Sequence, residues 1–584
     1  MEQVGAMSSP WRIPQRNAAA EARLVEALKI RALTARVLIS RSLTEADDVS
    51  RFMNPRLGDL RPPEGMPDLE KAQACLEGTI LKGQTIGVFG DYDVDGVTSA
   101  AIITLGLRAL GATVLTRVAT RHAGYGFNID AARYFADAHC AAVVTCDCGT
   151  SDHASIRLLR ELGVPTIVID HHQVPSGDSP AEALINPHRS DNRFPFKGLA
   201  SCGIAFYLVA ALRSRFRACG RPGAAEWDPR ELLDLVALGS IADVVPLQHE
   251  NRILVAAGLK ELQKQRRPGI RALAEQAEVY VEDTVDASTV SFRYAPRINA
   301  AGRLGDAQRA LDVLLATNDT EARERAIVLE GINKERQRIQ HDVAEAAFAE
   351  AETLIRLTGG DVPAAIVVGA QDWHVGVVGI VAAKLVDRYR RPAIVVGFDN
   401  GRGRGSARTV PSFDLYHGLK AVSEHLEVFG GHAAAAGLTV RFDRFAAFRD
   451  AFVQHAALAR VDAEADAPPL VDAIAQLSEL DLEGVLELER IGPFGNANTQ
   501  PLLVLPGITA TSHRLIGNGQ HLQLNLSQGD ASGDAIGFGM GGQGPEPGVM
   551  VDLLGFAEIN RFRGRENPRL RLQRWNAAGT GAVS

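Results

Sequence analysis

The chain has 584 residues, 46% of them apolar and 23% charged, with a formal net charge of −8. That length exceeds one ordinary core and calls for roughly three or four domains, and the composition is that of a folded globular protein rather than a disordered one. The acidic balance excludes a uniformly basic coat for a polyanion, and no stretch offers about 18 consecutive apolar residues or a signal-peptide core, so a cytoplasmic chain outside the membrane is expected.

Residues 1–80 read as a helical leader. EARLVEALKIRALTARVLISR has helical spacing, Ser42-Leu-Thr-Glu-Ala-Asp-Asp reads as a helix start, and Arg61-Pro62-Pro63 ends the pattern. No catalytic group stands out there. The six cysteines (Cys75, Cys140, Cys146, Cys148, Cys202, Cys219) contain no CxxC pair, which favours free thiols in a reducing compartment. Cys146 and Cys148 flank Asp147 at a spacing that does not suit a zinc knuckle.

From Thr85 to about Val245 short apolar, β-rich runs alternate with helix-like stretches: Ile86–Phe89, Thr113–Val118, Ala142–Thr145 and Thr166–Ile169. This pattern predicts a mostly parallel sheet covered on both faces, whose ligands bind at the carboxyl ends of the strands. The residues that terminate each run are therefore informative. The first runs into Asp91, Asp93 and Asp95, the third into Cys146-Asp147-Cys148-Gly149, and the fourth into Asp170-His171-His172. A later apolar run, LVALGSIADVVPL, delivers Asp243. Acids at such density repel one another and are costly beside buried strands unless a cation neutralises them. Several Asp with one or two His form a hard, oxygen-rich donor set suited to manganese or magnesium, and a pair of such ions can clamp an in-line phosphoryl displacement. There is no GxSxG and no GxxxxGK[ST], so neither a serine nucleophile nor a P-loop competes.

Residues 251–355 read as helices, ending in a long linking helix over about Thr320 to Glu350 whose charges form a solvated face. Residues 356–455 form a second, smaller α/β unit with apolar strands AAIVVG and PAIVVGF. Between them WHVGVVGIVAAKLVDRY is a Gly-punctuated turn entering a helix, which suits either a phosphate at the helix N-terminus or close packing. In GRGRGSART, Arg402, Arg404 and Arg408 interleave with glycine and Ser406, a phosphate-gripping arrangement. From 470 to 576 the pattern is β-rich, as in HLQLNL and VMVDLLGFAEIN. Arg561, Arg563, Arg565, Arg569, Arg571 and Arg574 give its last strands a basic face, with Phe562 and Trp575 as candidate stacking partners and a solvated edge strand as the alternative. Residues 577–584 read as a disordered tail.

GDYDVDG, TCDCG, IDHH and SIADVVPL, in this order, resemble the four motifs of the DHH phosphoesterase superfamily. With NPHRSDNRFPFKGLASCGIAFYL, PRINAAGRLGDA, GRGRGSARTVPSFDL and FGGHAAAAGLTV, the chain resembles the RecJ family of single-stranded-DNA exonucleases across most of residues 80–440. The resemblance implies an α/β fold: a parallel-sheet DHH catalytic domain (81–250), a long helix leading to a smaller DHHA1 domain, and a C-terminal OB-like β-barrel. It implies two divalent cations, Mn2+ or Mg2+. Asp93 and Asp95 match metal ligands in a first acidic cluster that includes Asp91, and Asp147 matches the carboxylate bridging both ions. His171 matches a ligand, His172 a group facing the scissile phosphate, and Asp243 the acid completing the second ion's shell. Asp170 either ligates or orients His171. Arg297, Asn299 and Arg303 in PRINAAGR match a motif near the cleft, with phosphate contact favoured over structural pairing. Ser406 and Arg408, with Arg404, match the grip on a terminal 5′ phosphate, and Gly430-Gly431-His432 matches the GGH motif that meets the nucleotide.

The implied activity is 5′→3′ degradation of single-stranded DNA to 5′ mononucleotides in repair and recombination, with a helicase and a single-strand-binding protein as partners. The alternatives are a sister phosphodiesterase for oligoribonucleotides or cyclic dinucleotides, and a non-catalytic replication scaffold. The β-rich basic module argues against the first and the full set of acids against the second. The cysteines around Asp147 depart from the valine and asparagine common in the superfamily.

Overall fold

The computed structural model describes residues 11–121, 126–221, 223–459, 469–562, 565–579 and 582–583. Five strands open the catalytic lobe: β1 (Thr85–Gly90), β2 (Thr113–Val118), β3 (Ala142–Cys146), β4 (Thr166–Ile169) and β5 (Ala183–Ile185). They run in the order β2-β1-β3-β4-β5 with every pairing parallel. β1, β3 and β4 are continuous apolar runs because helices cover both faces of the sheet. On one face α1 (Val94–Ala109), α2 (Ser201–Ala218) and α3 (Leu233–Ala242) share a core containing Val88, Val97, Ile103, Leu208 and Leu235. On the other, Phe89, Phe127, Phe135 and Val143 form a separate cluster. The run LVALGSIA is helix α3, and Asp243 is its C-cap, not a strand end as the apolar pattern suggested. An eight-residue apolar run bounded by polar residues reads alike for a buried strand and a buried helix.

Helix α4 (Ala295–Leu304) precedes the linking helix α5, which spans 39 residues from Asp319 to Leu357. Asn318 caps α5 by accepting the Glu321 N–H, and Asp319 and Glu321 favour its positive N-terminus. Its first half buries Ala322, Ala326 and Leu329 in the catalytic core, and its second half buries Val343, Ala347 and Ala351 in the core of the next lobe. One rod therefore sets the spacing of two cores. The second lobe carries β6 (Ile366–Gln371), α6 (Val378–Tyr389), β7 (Ala393–Asp399), β8 (Arg402–Arg408), β9 (Val428–Gly431) and β10 (Ala435–Arg441). Its sheet order is β9-β10-β8-β7-β6, with only β6–β7 parallel.

The third module is a closed barrel of β11 (Leu502–Ile516), β12 (His521–Gln528), β13 (Ala531–Gly537), β14 (Met550–Phe562) and β15 (Arg565–Ala577). The pairing runs β11-β12-β13-β15-β14 and back from β14 to β11, which leaves no free edge among these strands.

Residues 11–80 do not form one leader, and 1–10 lie outside the described residues. Helices Ala18–Leu28, Ala32–Ser40 and Ala46–Met53 place Leu24, Leu33, Leu38 and Val49 in the barrel's core with Leu503, Leu524 and Leu553. Helix Leu69–Leu81 instead joins the catalytic core. Arg41 fixes the first contact, its Nε 2.8 Å from Asp472 Oδ1 and its Nη1 donating to Asn498 Oδ1 at 2.9 Å. Of the tail expected to be disordered over 577–584, Ala577 closes β15 and Ala582–Val583 pair in parallel with Trp11–Arg12, while 580, 581 and 584 lie outside the described residues.

Candidate metal centre and phosphate cleft

Three segments converge at the carboxyl end of the catalytic sheet. β1 ends in Asp91, and Asp93 caps α1 by accepting the Gly96 N–H at 3.0 Å. A Cβ at Gly96 would sit 2.6 Å from the Asp91 backbone, so only glycine lets the helix start this close to the strand. β3 ends in Asp147, which adopts a left-handed φ of 62°. Such a conformation costs a non-glycine residue on the order of 1 kcal/mol and turns its carboxylate off the strand direction. β4 ends in Asp170, His171 and His172.

These side chains meet. Three donor sets each have all their ligand atoms within 4.8 Å of one another: Asp147, His171 and His172; Asp95, His171 and Asp243; and Asp91, Asp93 and Asp147. Asp147 and His171 each belong to two sets. His171 Nε2 lies 3.4 Å from both Asp147 Oδ1 and Asp243 Oδ2, yet is a buried atom with no hydrogen-bond partner, as is Asp91 Oδ1. Burial, then the Asp93 charge, pushes the Asp91 carboxyl up to about 8. Burial, then Asp95 and Asp93, pushes Asp243 up to about 8 as well, and Asp147 rises well above the usual carboxylate range for the same reasons. Orphaned donor atoms amid carboxylates that resist ionising together are what a cation-binding cluster requires, and the oxygen-rich set fits hard divalent ions.

The surrounding contacts hold the ligand set in place. Asp95 accepts the Ser201 and Cys202 N–H groups at 2.8 and 2.9 Å, tying it to the N-terminus of α2. The Ser201 hydroxyl donates to Asp147 Oδ1 at 3.0 Å. Asp170 orients His172, not His171: its Oδ1 lies 2.7 Å from His172 Nδ1 and accepts the His172 N–H at 3.1 Å, while Oδ2 accepts the Thr150 N–H. Burial works against the charge on both partners, but their mutual hydrogen bond and attraction win, holding Asp170 down to about 2 and His172 up to about 9. Burial pushes the Cys146 and Cys148 thiols up, so both are neutral packing groups.

The second lobe faces this cluster across a cavity of about 600 Å³. Tyr92, Asp93 and Arg121 line it from one side, Asn299 and Arg303 from α4, and Arg404, Ser406, Arg408 and Gly430 from the other. Val375, Gly376, Val378 and Gly379, where the chain enters α6, complete it, and a Cβ at Gly376 would lie 2.2 Å from the Arg303 carbonyl, so this turn both packs closely and lines the cavity. Arg408 Nη1 donates to Ser406 Oγ at 3.0 Å. Burial lowers the Arg408 pKa, and burial followed by repulsion from Arg121, Arg336 and Arg408 lowers that of Arg303 to about 10. Arg121, Arg303, Arg404 and Arg408 bring four guanidinium groups to this cavity, which suits a polyanion.

Several expected residues lie elsewhere. Arg297 points away from the cleft: its Nε is 2.8 Å from Glu330 on α5, and its guanidinium donates to the Arg293 and Gln276 carbonyls, so the structural pairing holds. Arg402 pairs with Glu427. Gly431 and the exposed His432 do not line the cavity. On the barrel, Arg561 pairs with Glu489 and Glu566, and Arg569 and Arg571 with Glu558, so much of the basic face is neutralised. Trp575 Nε1 donates to the Gln543 carbonyl. Arg563 and the Phe562 side chain fall outside the described residues. Sequence reasoning missed Tyr92, Arg121 and Ser201. SCGIAF, where a serine stands at the start of a helix-like run, was the one signal available for Ser201.

A parallel-sheet lobe with an Asp/His cluster, a long helix and a second α/β lobe define a DHH-type phosphoesterase architecture. The sequence matches the DHH family N-terminal domain over residues 85–240, the DHHA1 domain over 361–457 and the RecJ OB domain over 471–574. It is 34% identical to the single-stranded-DNA-specific exonuclease RecJ of Haemophilus influenzae, over 92% of this chain and 94% of that protein. The crystal structure of RecJ with Mn2+ from Thermus thermophilus superposes with a TM-score of 0.81 at 29% identity, covering 98% of this chain and 81% of that one. The same protein with Mg2+ gives 0.74 at 28%, covering 98% and 79%. The chain belongs to the RecJ family.

Proposed function

We propose that this protein is a divalent-cation-dependent exonuclease that removes nucleotides stepwise from the 5′ end of single-stranded DNA, releasing 5′ mononucleotides. The observation that carries this reading is the cleft itself, with Asp93 of the Asp/His cluster on one wall and Ser406 and Arg408 on the other. In the scheme, Asp93, Asp95, Asp147, His171 and Asp243 would hold two ions, with Asp91 beside them. The ions, when bound, supply charge neutralisation at the scissile phosphate and acidify water. His172, oriented by Asp170, presents its imidazole to the developing charge on phosphorus. Asn299, Arg303, Arg404, Ser406 and Arg408 grip the strand's phosphates, which makes the enzyme start from an end. Gly430 closes the grip, with Gly431 and the exposed His432 next to it. Family membership supports a cytoplasmic role in repair and recombination beside a helicase and a single-strand-binding protein. No helix among the described residues is long and apolar enough to cross a membrane.

The test is product analysis on single-stranded DNA labelled at either end, with Mn2+, Mg2+ or EDTA. Metal-dependent mononucleotides from the 5′ end, with blunt duplex spared, are expected. No cleavage in any metal overturns the reading in favour of a scaffold, and cleavage of dinucleotides alone in favour of the sister phosphodiesterase.

A further inference from the structure

A second, smaller cavity of about 270 Å³ lies on the other side of Arg303, between α4, α5 and the loop that follows α3. Ala242 and Val244, the residues either side of Asp243, line it, so it adjoins the metal centre from behind. Its innermost cation is Arg336 on the linking helix, only 8% exposed. Among the described residues, no carboxylate pairs with Arg336. Its Nη1 and Nη2 donate to the amide oxygens of Gln340 and Asn333, each at 2.7 Å, and its Nε is a buried donor with no acceptor. The carboxylates along this stretch of α5 are committed elsewhere: Glu330 to Arg297, and Glu335 and Asp342 to Arg338. A buried guanidinium without a counter-ion bears an uncompensated desolvation cost, which an anionic ligand would offset. Arg303 and Asn299 line both cavities, so the two are consecutive along one row of cations.

We infer that this cavity is a second phosphate subsite, separate from the Ser406–Arg408 grip, in which Arg336 and Arg303 hold a phosphate of a nucleotide. The inference rests on the nuclease reading and adds to it a residue on the linking helix. The shared chemistry is a nucleotide phosphate, whose source is either a backbone phosphate of the bound strand or the 5′ phosphate of the released mononucleotide. Ile241 and Ile380 give the cavity an apolar wall, which sugar or base could cover.

Equilibrium binding to the full chain tests this without relying on cleavage. Thymidine 5′-monophosphate binding is followed by calorimetry, and binding of a 5′-phosphorylated oligothymidine by fluorescence anisotropy in EDTA across a salt series. If the mononucleotide is the ligand, Arg336→Gln weakens its binding roughly tenfold, the loss expected for one charge-assisted pair. If the strand is the ligand, Arg336→Gln weakens oligonucleotide binding and reduces the salt slope by roughly 0.7. Arg338→Gln, an exposed neighbour on the same helix, changes neither. A folded Arg336→Gln protein with both affinities and the salt slope intact overturns the subsite and leaves Arg336 as a helix-packing residue, as does a wild-type protein that binds neither ligand. Should Arg336→Gln not fold, Ser291→Trp fills the cavity from its rim and is read the same way. Inactive wild-type enzyme that still shows the Arg336-dependent binding would sink the nuclease reading alone.

Discussion

Asp170 illustrates how one buried carboxylate can serve a site through a neighbouring side chain. Its two hydrogen bonds to His172 fix the ring. Asp170→Asn is expected to lower kcat by roughly 10–100-fold with little change in oligonucleotide affinity, the usual scale for losing an orienting partner. Rate measurements at saturating metal, set beside anisotropy binding, check this, and an equal loss in both would point to misfolding. Arg408 makes the complementary case. Its guanidinium bonds only to Ser406 and its neighbour's carbonyl among the described residues, which leaves it able to take a phosphate. Arg408→Gln should slow 5′-phosphorylated substrates more than 5′-hydroxyl ones, and equal slowing would remove the terminal-phosphate role.

At the scale of elements, the loop after α3 is held by the barrel module. Val244, a β-branched residue, adopts φ 58° and remains largely exposed. That conformation costs on the order of 1–3 kcal/mol and persists only where neighbours over-determine it. The neighbours are in the third module: Asn496 Nδ2 donates to the Val244 carbonyl at 2.7 Å, and the Leu247 N–H donates to the Asn496 carbonyl at 2.8 Å. Arg252 Nη2 adds a bond to the Gly492 carbonyl at 2.7 Å. The loop bearing Asp243 is thus set partly by a residue 252 positions beyond Val244. Asn496→Ala is predicted to raise the Mn2+ concentration for half-maximal activity several-fold, and to weaken Mn2+ binding by calorimetry, while the oligonucleotide still binds. Unchanged metal affinity would show that α3 alone fixes Asp243.

At the scale of the whole molecule, the acidic centre couples metal content to stability. Without cations the folded-state pKa values of Asp91 and Asp243 stand near 8, above their ordinary value of 3.8. The folded state then holds protons that the unfolded state has lost, so stability falls as pH rises from about 4 through about 8. In EDTA the Tm should therefore drop between pH 5 and pH 8.5 more steeply than with saturating Mn2+, which binds the ionised carboxylates. Parallel Tm profiles with and without metal would contradict this.

The amino-acid sequence by itself determined the local chemistry: apolar runs of four to six residues ending in Asp and His, the glycine-spaced arginines of β8, and alternation in the barrel strands. These are legible because strand ends, turn residues and period-two patterning are short-range properties. The tertiary structure decided the rest. It made α3 a helix, because an apolar run buried on all sides carries no period. It paired Arg297 with Glu330, because a guanidinium finds its partner in space rather than along the chain. It split the helices of residues 18–81 between two cores, since an amphipathic helix states that it has a buried face and not what covers it. It turned Asp170 toward His172 and left Arg336 without a carboxylate, because burial and distance, which no residue type encodes alone, decide where a charge is compensated.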